Sequence, residues 1–403
     1  MKKIEGGVCA PEGFKANGVH CGIRKNKTKR DLSLIVSDVR CAAACIYTQN
    51  LVKGAPIAVT KRHVADGYAQ AIVCNSGNAN TCNANGEEIA EGMCKLVSER
   101  TGIPAEDVVV ASTGVIGQPL SLDPIAAGMD ELVKGLGGNS LFAAQGIMTT
   151  DTVDKQIAYT FTLGGKECRI GAIGKGVGMI NPNMATMLIF ITTDVSISPV
   201  MLQKALSADV KDSFNMVSVD GDTSTNDMVC VLANGQAGNA CIEENGKDFV
   251  TFRKALNKVT TNLCRRIAKD GEGATKLLEC KVVGAKSKNA AKLIAKSVIK
   301  SSLFKAAMFG ADANWGRVLC AIGYAGADAD ITKIDVDFKS KAGTLAVCRG
   351  GSGIPFSEEE AKEILSCDEI EILINMNDRG GRATAWGCDL TYDYVKINGD
   401  YRT

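Results

Sequence analysis

Apolar residues follow two recurring patterns along this chain. Short unbroken runs end in turn signals, as in "LSLIVSD" at 32–38, "QAIVCNSG" at 70–77 and "VVVASTGVIG" at 108–117. Such runs predict strands closed by polar, Gly-containing turns. Between them, apolar positions recur at helical spacing. "GEEIAEGMCKLVSERTG" at 86–102 sets Ile89, Met93, Leu96 and Val97 on one side and ends in Gly102, which predicts a helix with a glycine stop. "IAAGMDELVKGL" at 125–136 and "MLQKALSADVKDSFN" at 201–215 predict two more. "SVDGDTSTNDMVCVLANG" at 218–235 reads as a polar loop entering a strand. "FVTFRKALNKVTTNLCRRIAKDGEGATKLLEC" at 249–280 reads as a long helix, a DGEG turn and a strand. The last hundred residues repeat the alternation and close on the polar "TYDYVKINGDYRT", whose pattern alone predicts a frayed end. Strands alternating with helices predict an α/β protein.

One join stands apart. In "GKGVGMINPNMATMLIFITTD" at 174–194, three glycines and an Asn-Pro-Asn turn run directly into an apolar strand. Thr186 sits at the seam, and on spacing alone it is a β-branched strand start. The glycines do not make a dinucleotide loop, because Pro182 and a strand follow where a helix N-terminus is required.

Composition narrows the class. The 403 residues allow two or three domains or one two-lobed body. A formal charge of +1 gives no global field for nucleic acid or an anionic membrane. Lys288, Lys292, Lys296 and Lys300 recur every four residues opposite Leu293, Ile294, Val298 and Ile299, which predicts an amphipathic surface helix with a solvated basic stripe. No targeting segment or apolar run of spanning length is visible, so the cytoplasm is the expected compartment. The sixteen cysteines form no C-x-x-C pair. Small buried thiols are expected, with no metal site. "DGDTSTND" lacks the glycine and distal glutamate of a calcium loop and reads as a self-bonded turn or a polar wall of a site.

Nucleophilic chemistry needs a base, and the chain has only two histidines, His20 and His63, neither beside an elbow-like motif. A Thr can instead use its own α-amine as base, once the preceding peptide bond is cut. The flexible approach to Thr186 would let its hydroxyl attack the Ala185 carbonyl, giving an ester that water opens. Thr113-Gly114, read alone, is a turn after a strand.

"KGVGMINPNMATML" at 175–188 resembles the cleavage-site signature of the ornithine acetyltransferase family, also called glutamate N-acetyltransferases. "APEGFKANGVHCGI", "NSGNAN", "ASTGVIG", "IMTTDT", "SVDGDTSTND", "IAKDGEGATKL", "GADANWGR" and "YVKINGDYRT" resemble further family blocks, in order along nearly the whole chain. Ala313 stands where Pro would be commoner, a change of turn stiffness.

The resemblance implies an α/β/β/α layered, autoprocessed fold, cut between Ala185 and Thr186 into an α chain 1–185 and a β chain 186–403, assembled as α2β2. It implies acetyl transfer from N2-acetylornithine to glutamate through an acetyl-Thr186 intermediate. Thr113 and Gly114 match the oxyanion-hole pair. Thr150 (or its neighbour Thr149), Lys175, Thr186, Glu272, Asn398 and Thr403 match substrate residues. No cofactor or metal is implied, with acetyl-CoA as a potential further donor. The partners are small molecules, without nucleic acid or membrane. Two other readings stay open at this level: an N-terminal-nucleophile amidohydrolase of related fold, and a non-enzymatic small-molecule-binding protein.

Overall fold

The apolar run that follows the join is a central strand. In the computed structural model, which describes residues 1–181 and 187–399, Leu188–Thr193 is buried at every position. It lies between antiparallel Lys166–Lys175 and parallel Met228–Ala233. A strand covered on both faces has no polar side, which is why its sequence does not alternate.

The described chain divides into two compact units. One takes Met1–Gly176, Asn183–Ser213 and Thr223–Leu263, the other Val177–Pro182, Phe214–Asp222 and Cys264–Thr403. Each therefore draws segments from both sides of the 182–186 join.

In the first unit, nine strands form one mixed sheet. Their order is Lys2–Ile4, Lys155–Leu163, Lys166–Lys175, Leu188–Thr193, Met228–Ala233, Leu32–Tyr47, Tyr68–Asn78 and Val108–Val115, with Phe14–Val19 also paired to Leu32–Tyr47. Alternate residues feed two cores. Ile72, Cys74, Val109 and Ala111 pack with Ala143, Ala144 and Ile147 of helix Ser140–Ile147. Ala71, Val73, Val108 and Val110 pack with Ile89, Met93 and Val97 of helix Gly86–Thr101 and with Ile125, Met129 and Leu132 of helix Asp123–Lys134. Helices thus cover both faces. Gly102, at φ 76°, ends helix Gly86–Thr101 as its spacing predicted.

The second unit holds seven strands, ordered Ser352–Gly353, Gly343–Arg349, Asp335–Ser340, Glu369–Asn375, Leu277–Ala285, Gly381–Cys388 and Val217–Ser218. Helix Lys288–Lys300 lies on this sheet, burying Ala291, Ile294, Ala295, Val298 and Ile299. A Cβ on Gly387 would come within 2.4 Å of the Ile299 side chain, so glycine sets the approach of helix to sheet. The mixed α/β class expected from the sequence is observed in both units.

Three local expectations change. Leu293, assigned to the apolar face, is 40% exposed, and Lys296, assigned to the solvated stripe, is half-buried. Burial and neighbouring Lys300 lower the Lys296 ammonium to about 8. The helix predicted over 201–215 runs Pro199–Asp209 and stops early. There the Ser213 hydroxyl turns back to the Asp209 carbonyl and carboxylate, local bonding that competes with helix continuation. Within the tail, Tyr392–Gly399 is helical where the pattern alone predicted fraying. Among the described residues no helix is long and apolar enough to cross a membrane.

Candidate active site

Thr113 and Gly114 lie at the end of strand Val108–Val115, where it pairs in parallel with Tyr68–Asn78 through a register irregularity at Gly77 and Asn78. Gly114 has φ 133°, and a Cβ there would sit 2.3 Å from the Gly77 carbonyl carbon and 2.5 Å from the Asn78 nitrogen. Only glycine lets the two backbones approach this closely. Gly114→Ala is expected to lose at least about 1–3 kcal/mol of stability from backbone strain alone. Denaturant titration beside the parent protein measures it, and an unchanged midpoint would rule out the strain.

Polar side chains hold this strand end from behind. The Ser112 hydroxyl donates to Asn75 Oδ1 at 2.6 Å. The Asn226 amide donates to the Ser112 carbonyl at 3.0 Å and to the Ala79 carbonyl at 2.5 Å, while Thr81 Oγ1 donates to Asn226 Oδ1. The "NSGNAN" and "STND" stretches are therefore the scaffold of Thr113, tied to it by buried side-chain hydrogen bonds.

Lys175, the last residue of strand Lys166–Lys175, donates from Nζ to Thr113 Oγ1 at 3.2 Å. An ammonium only donates, so the Thr113 oxygen accepts in this contact and its own O–H is left to donate elsewhere. That is the polarity an oxyanion-hole hydroxyl needs. Burial lowers the Lys175 ammonium, with Lys155 acting the same way; Asp151 and Asp227 oppose them. Beside it, Asp151 and Lys155 form an ion pair at 2.7 Å with both side chains fully buried. Burial alone would raise the Asp151 carboxyl, but Lys155 and then Lys175 hold it down at about 2. Its Oδ2 accepts the Thr149 amide at 3.0 Å and its Oδ1 the Gly176 amide at 3.0 Å. Thr149 and Thr150 are both half-buried in the bend before Asp151.

In the second unit Glu272 occupies the turn after helix Lys247–Lys269 and is 9% exposed. Its amide donates to the Val177 carbonyl at 2.8 Å. Asn398 Nδ2 donates to Glu272 Oε2 at 2.9 Å. Gly273, at φ 68°, makes this pairing possible: a Cβ there would sit 2.5 Å from the Tyr394 nitrogen. The Thr391 hydroxyl ties to the Gly273 carbonyl at 2.6 Å. The "DGEG" turn is thus a seat for the C-terminal helix.

Asp220 clamps the approach to the join. Its carboxylate accepts the amides of Met179 at 2.5 Å and Ile180 at 2.9 Å. Val219 donates to the Ile180 carbonyl, and Asn181 Nδ2 to the Gly221 carbonyl, at 2.7 and 2.8 Å. Of the expected site residues, the structure joins Thr113 to Lys175, beside Gly114, and Asn398 to Glu272. Ala185, Thr186 and Thr403 lie outside the described residues.

Sequence reasoning missed Asp151, Lys155, Asp220 and Asn226. Asp151 and Asp220 stood inside blocks already singled out, whereas nothing in the pattern marks Lys155 as buried. The two histidines have other partners. His20 Nδ1 contacts the Lys29 carbonyl and Asp31, and His63 contacts the Val108 carbonyl and Glu91. Ten of the sixteen cysteines are buried, and none is paired. Among the described residues no group of three His, Cys, Asp or Glu side chains is placed to hold a metal ion.

Comparison with known proteins agrees along the chain. Arginine biosynthesis bifunctional protein ArgJ 1 of Clostridium acetobutylicum is 50% identical over 392 residues, covering 97% of this chain and 96% of that protein. Arginine biosynthesis bifunctional protein ArgJ of Caldanaerobacter subterraneus is 48% identical over 405 residues, covering 100% of both. A crystal structure of arginine biosynthesis bifunctional protein argJ from Bacillus halodurans is 46% identical with a TM-score of 0.51; the match covers 53% of this chain and 99% of that one. The family model that matches residues 15–403 is that of the ArgJ family, and the chain, similar to such proteins from end to end and carrying the Thr113–Lys175 contact beside Gly114, belongs to it.

Proposed function

We propose that this protein transfers an acetyl group from N2-acetylornithine to glutamate in arginine biosynthesis. The observation that carries the reading is the Lys175–Thr113 hydrogen bond beside Gly114, set within an ArgJ family match over residues 15–403. It leaves one hydroxyl and one backbone N–H as donors for a developing oxyanion.

The cycle begins with self-cleavage. The Thr186 hydroxyl attacks the Ala185 carbonyl, the peptide bond shifts to an ester, and water opens it. Chain 1–185 ends in a new carboxylate, and chain 186–403 begins with a free α-amine. The solved Bacillus halodurans chain is matched over nearly its whole length yet spans about half of this one, the proportion that such a cut would give. The α-amine, with an ordinary pKa near 8, accepts the proton as Thr186 Oγ1 attacks the acetyl carbonyl. The tetrahedral oxyanion takes hydrogen bonds from the Thr113 hydroxyl and the Gly114 N–H. The C–N bond breaks, and ornithine leaves with the proton returned. The glutamate amine then attacks the acetyl ester and gives its proton to the Thr186 amine; the ester C–O bond breaks, the proton passes to the leaving Thr186 Oγ1, and N-acetylglutamate departs.

Lys175 takes the substrate α-carboxylate and Glu272 the distal ammonium of acetylornithine; Thr150, Asn398 and Thr403 complete the contacts. Acetyl-CoA is a second donor to the same hydroxyl, since a thioester presents the same carbonyl, and no bound cofactor or metal takes part. The mature enzyme is α2β2 and works in the cytoplasm.

Incubation with acetylornithine, with and without glutamate, tests the reading. N-acetylglutamate should form with glutamate present. Acetate release at the same rate regardless of glutamate would identify a hydrolase, and no turnover would remove the activity. Acetyl-CoA with glutamate alone should also yield N-acetylglutamate. Glu272→Gln should raise KM for acetylornithine by about 10–100-fold, the loss of one charge-assisted hydrogen bond, and leave KM for glutamate much less changed. Equal effects on both substrates would move Glu272 out of the ammonium pocket.

A further inference from the structure

Among the described residues the bulkiest fully buried side chain is a lysine, Lys155, and its partner Asp151 is equally enclosed. Such a pair seldom stabilises a fold, because the desolvation of two charges offsets their attraction. Its placement is informative. Asp151 accepts the amide of Gly176, next to Lys175, and the amide of Thr149, next to Thr150. One carboxylate therefore fixes two backbone segments, each carrying a residue assigned to substrate. The charged groups that act on Lys175 are Asp151 and Asp227 as counter-charges, Lys155 as a like charge and the Cys74 thiol.

We propose that Asp151 and Lys155 are a positioning pair for the proposed reaction: Asp151, through the Gly176 and Thr149 amides, holds the Lys175 and Thr150 segments in register and sets its charge beside Lys175, and Lys155 balances Asp151. The pair is charged on both sides because one buried carboxylate serves two cations. If Asp151 is removed, Lys155 and Lys175 face each other without it. If Lys155 is removed, all the attraction of Asp151 falls on Lys175. The two losses push the Lys175 proton in opposite directions, which mere loosening of the fold would not do. Direction follows from sign. A cation that has lost its counter-charge gives up its proton at lower pH, and one that has lost a like-charged neighbour keeps it to higher pH.

The inference rests on Lys175 as the holder of the substrate carboxylate, and the experiment separates the two. In self-processed enzyme, kcat and KM for acetylornithine are measured from neutral to alkaline pH for the parent, Asp151→Asn, Asp151→Glu, Lys155→Met and Lys175→Met. Lys175→Met should raise KM at neutral pH and remove its alkaline rise; an unchanged KM at neutral pH overturns the role of Lys175 itself. With that role intact, the alkaline rise in KM should move down by about one pH unit or more in Asp151→Asn, an energy of about 1.4 kcal/mol per unit. It should move up in Lys155→Met and stay at the parent position in Asp151→Glu, which keeps the charge. Movement in one direction for both charge-removing variants, or no movement in either, overturns the proposal. Should Asp151→Asn fail to fold, the upward movement in Lys155→Met decides alone.

Discussion

Thr186→Ala is expected to leave a single 42.3 kDa chain with no measurable acetyl transfer. Two functions vanish with one oxygen. Without the hydroxyl there is no attack on the Ala185 carbonyl, so no ester forms and no α-amine is released. Without that amine there is neither nucleophile nor base, and neither His20 nor His63 substitutes, since each ring is engaged elsewhere. Removing the nucleophile of such a unit typically costs about 10⁶ in kcat. Thr186→Ser keeps the oxygen and should still cut and turn over. Denaturing electrophoresis with an acetyl-transfer assay reads both outcomes. Two fragments from the Ala variant would mean that another residue cuts the chain.

Thr113→Ala is expected to lower kcat about 10²–10³-fold, the usual worth of one oxyanion-hole donor. The substitution removes the hydroxyl that Lys175 orients and leaves the Gly114 N–H in place, so transfer should be weakened, not abolished. Self-cleavage should slow as well, since it passes through a tetrahedral oxyanion on the Ala185 carbonyl. Strand Val108–Val115 is held by Ser112, Asn75 and Asn226, none of which is altered, so the fold should persist. Thr113→Ser should restore most of the rate, Thr113→Val none of it. Unaffected turnover in the Ala variant would take Thr113 out of the reaction.

The parts of the fold legible in the sequence are those where one local rule acts without competition. The run 188–193 reads as a buried strand because no polar face interrupts it. Helix Gly86–Thr101 reads correctly because its apolar spacing and its glycine stop agree. The strand beginning at Leu32 was harder. "SDVR" at 37–40 reads as a stop, yet the strand continues to Tyr47. Past the register irregularity between Val36 and Cys41, pairing with Met228–Ala233 carries its second half. A partner some 190 residues away leaves no local trace.

The candidate site divides in the same way. Thr113, Gly114, Lys175, Glu272 and Asn398 were reached through resemblance, and their chemistry is simple enough to assign from residue type. Asp151, Lys155 and Asp220 depend on who surrounds them. Lysine is normally a surface residue, so its full burial at 155 becomes visible only when the strands close around it. The C-terminal helix is a further case: its seat is Gly273, whose missing side chain admits Tyr394, and no pattern within 391–403 announces that contact.

The most direct measurement is intact-mass and N-terminal analysis of the purified, active enzyme. Two polypeptides, the second beginning at Thr186, are predicted in proportion to activity. A fully active preparation consisting of one uncut chain would contradict the proposed chemistry.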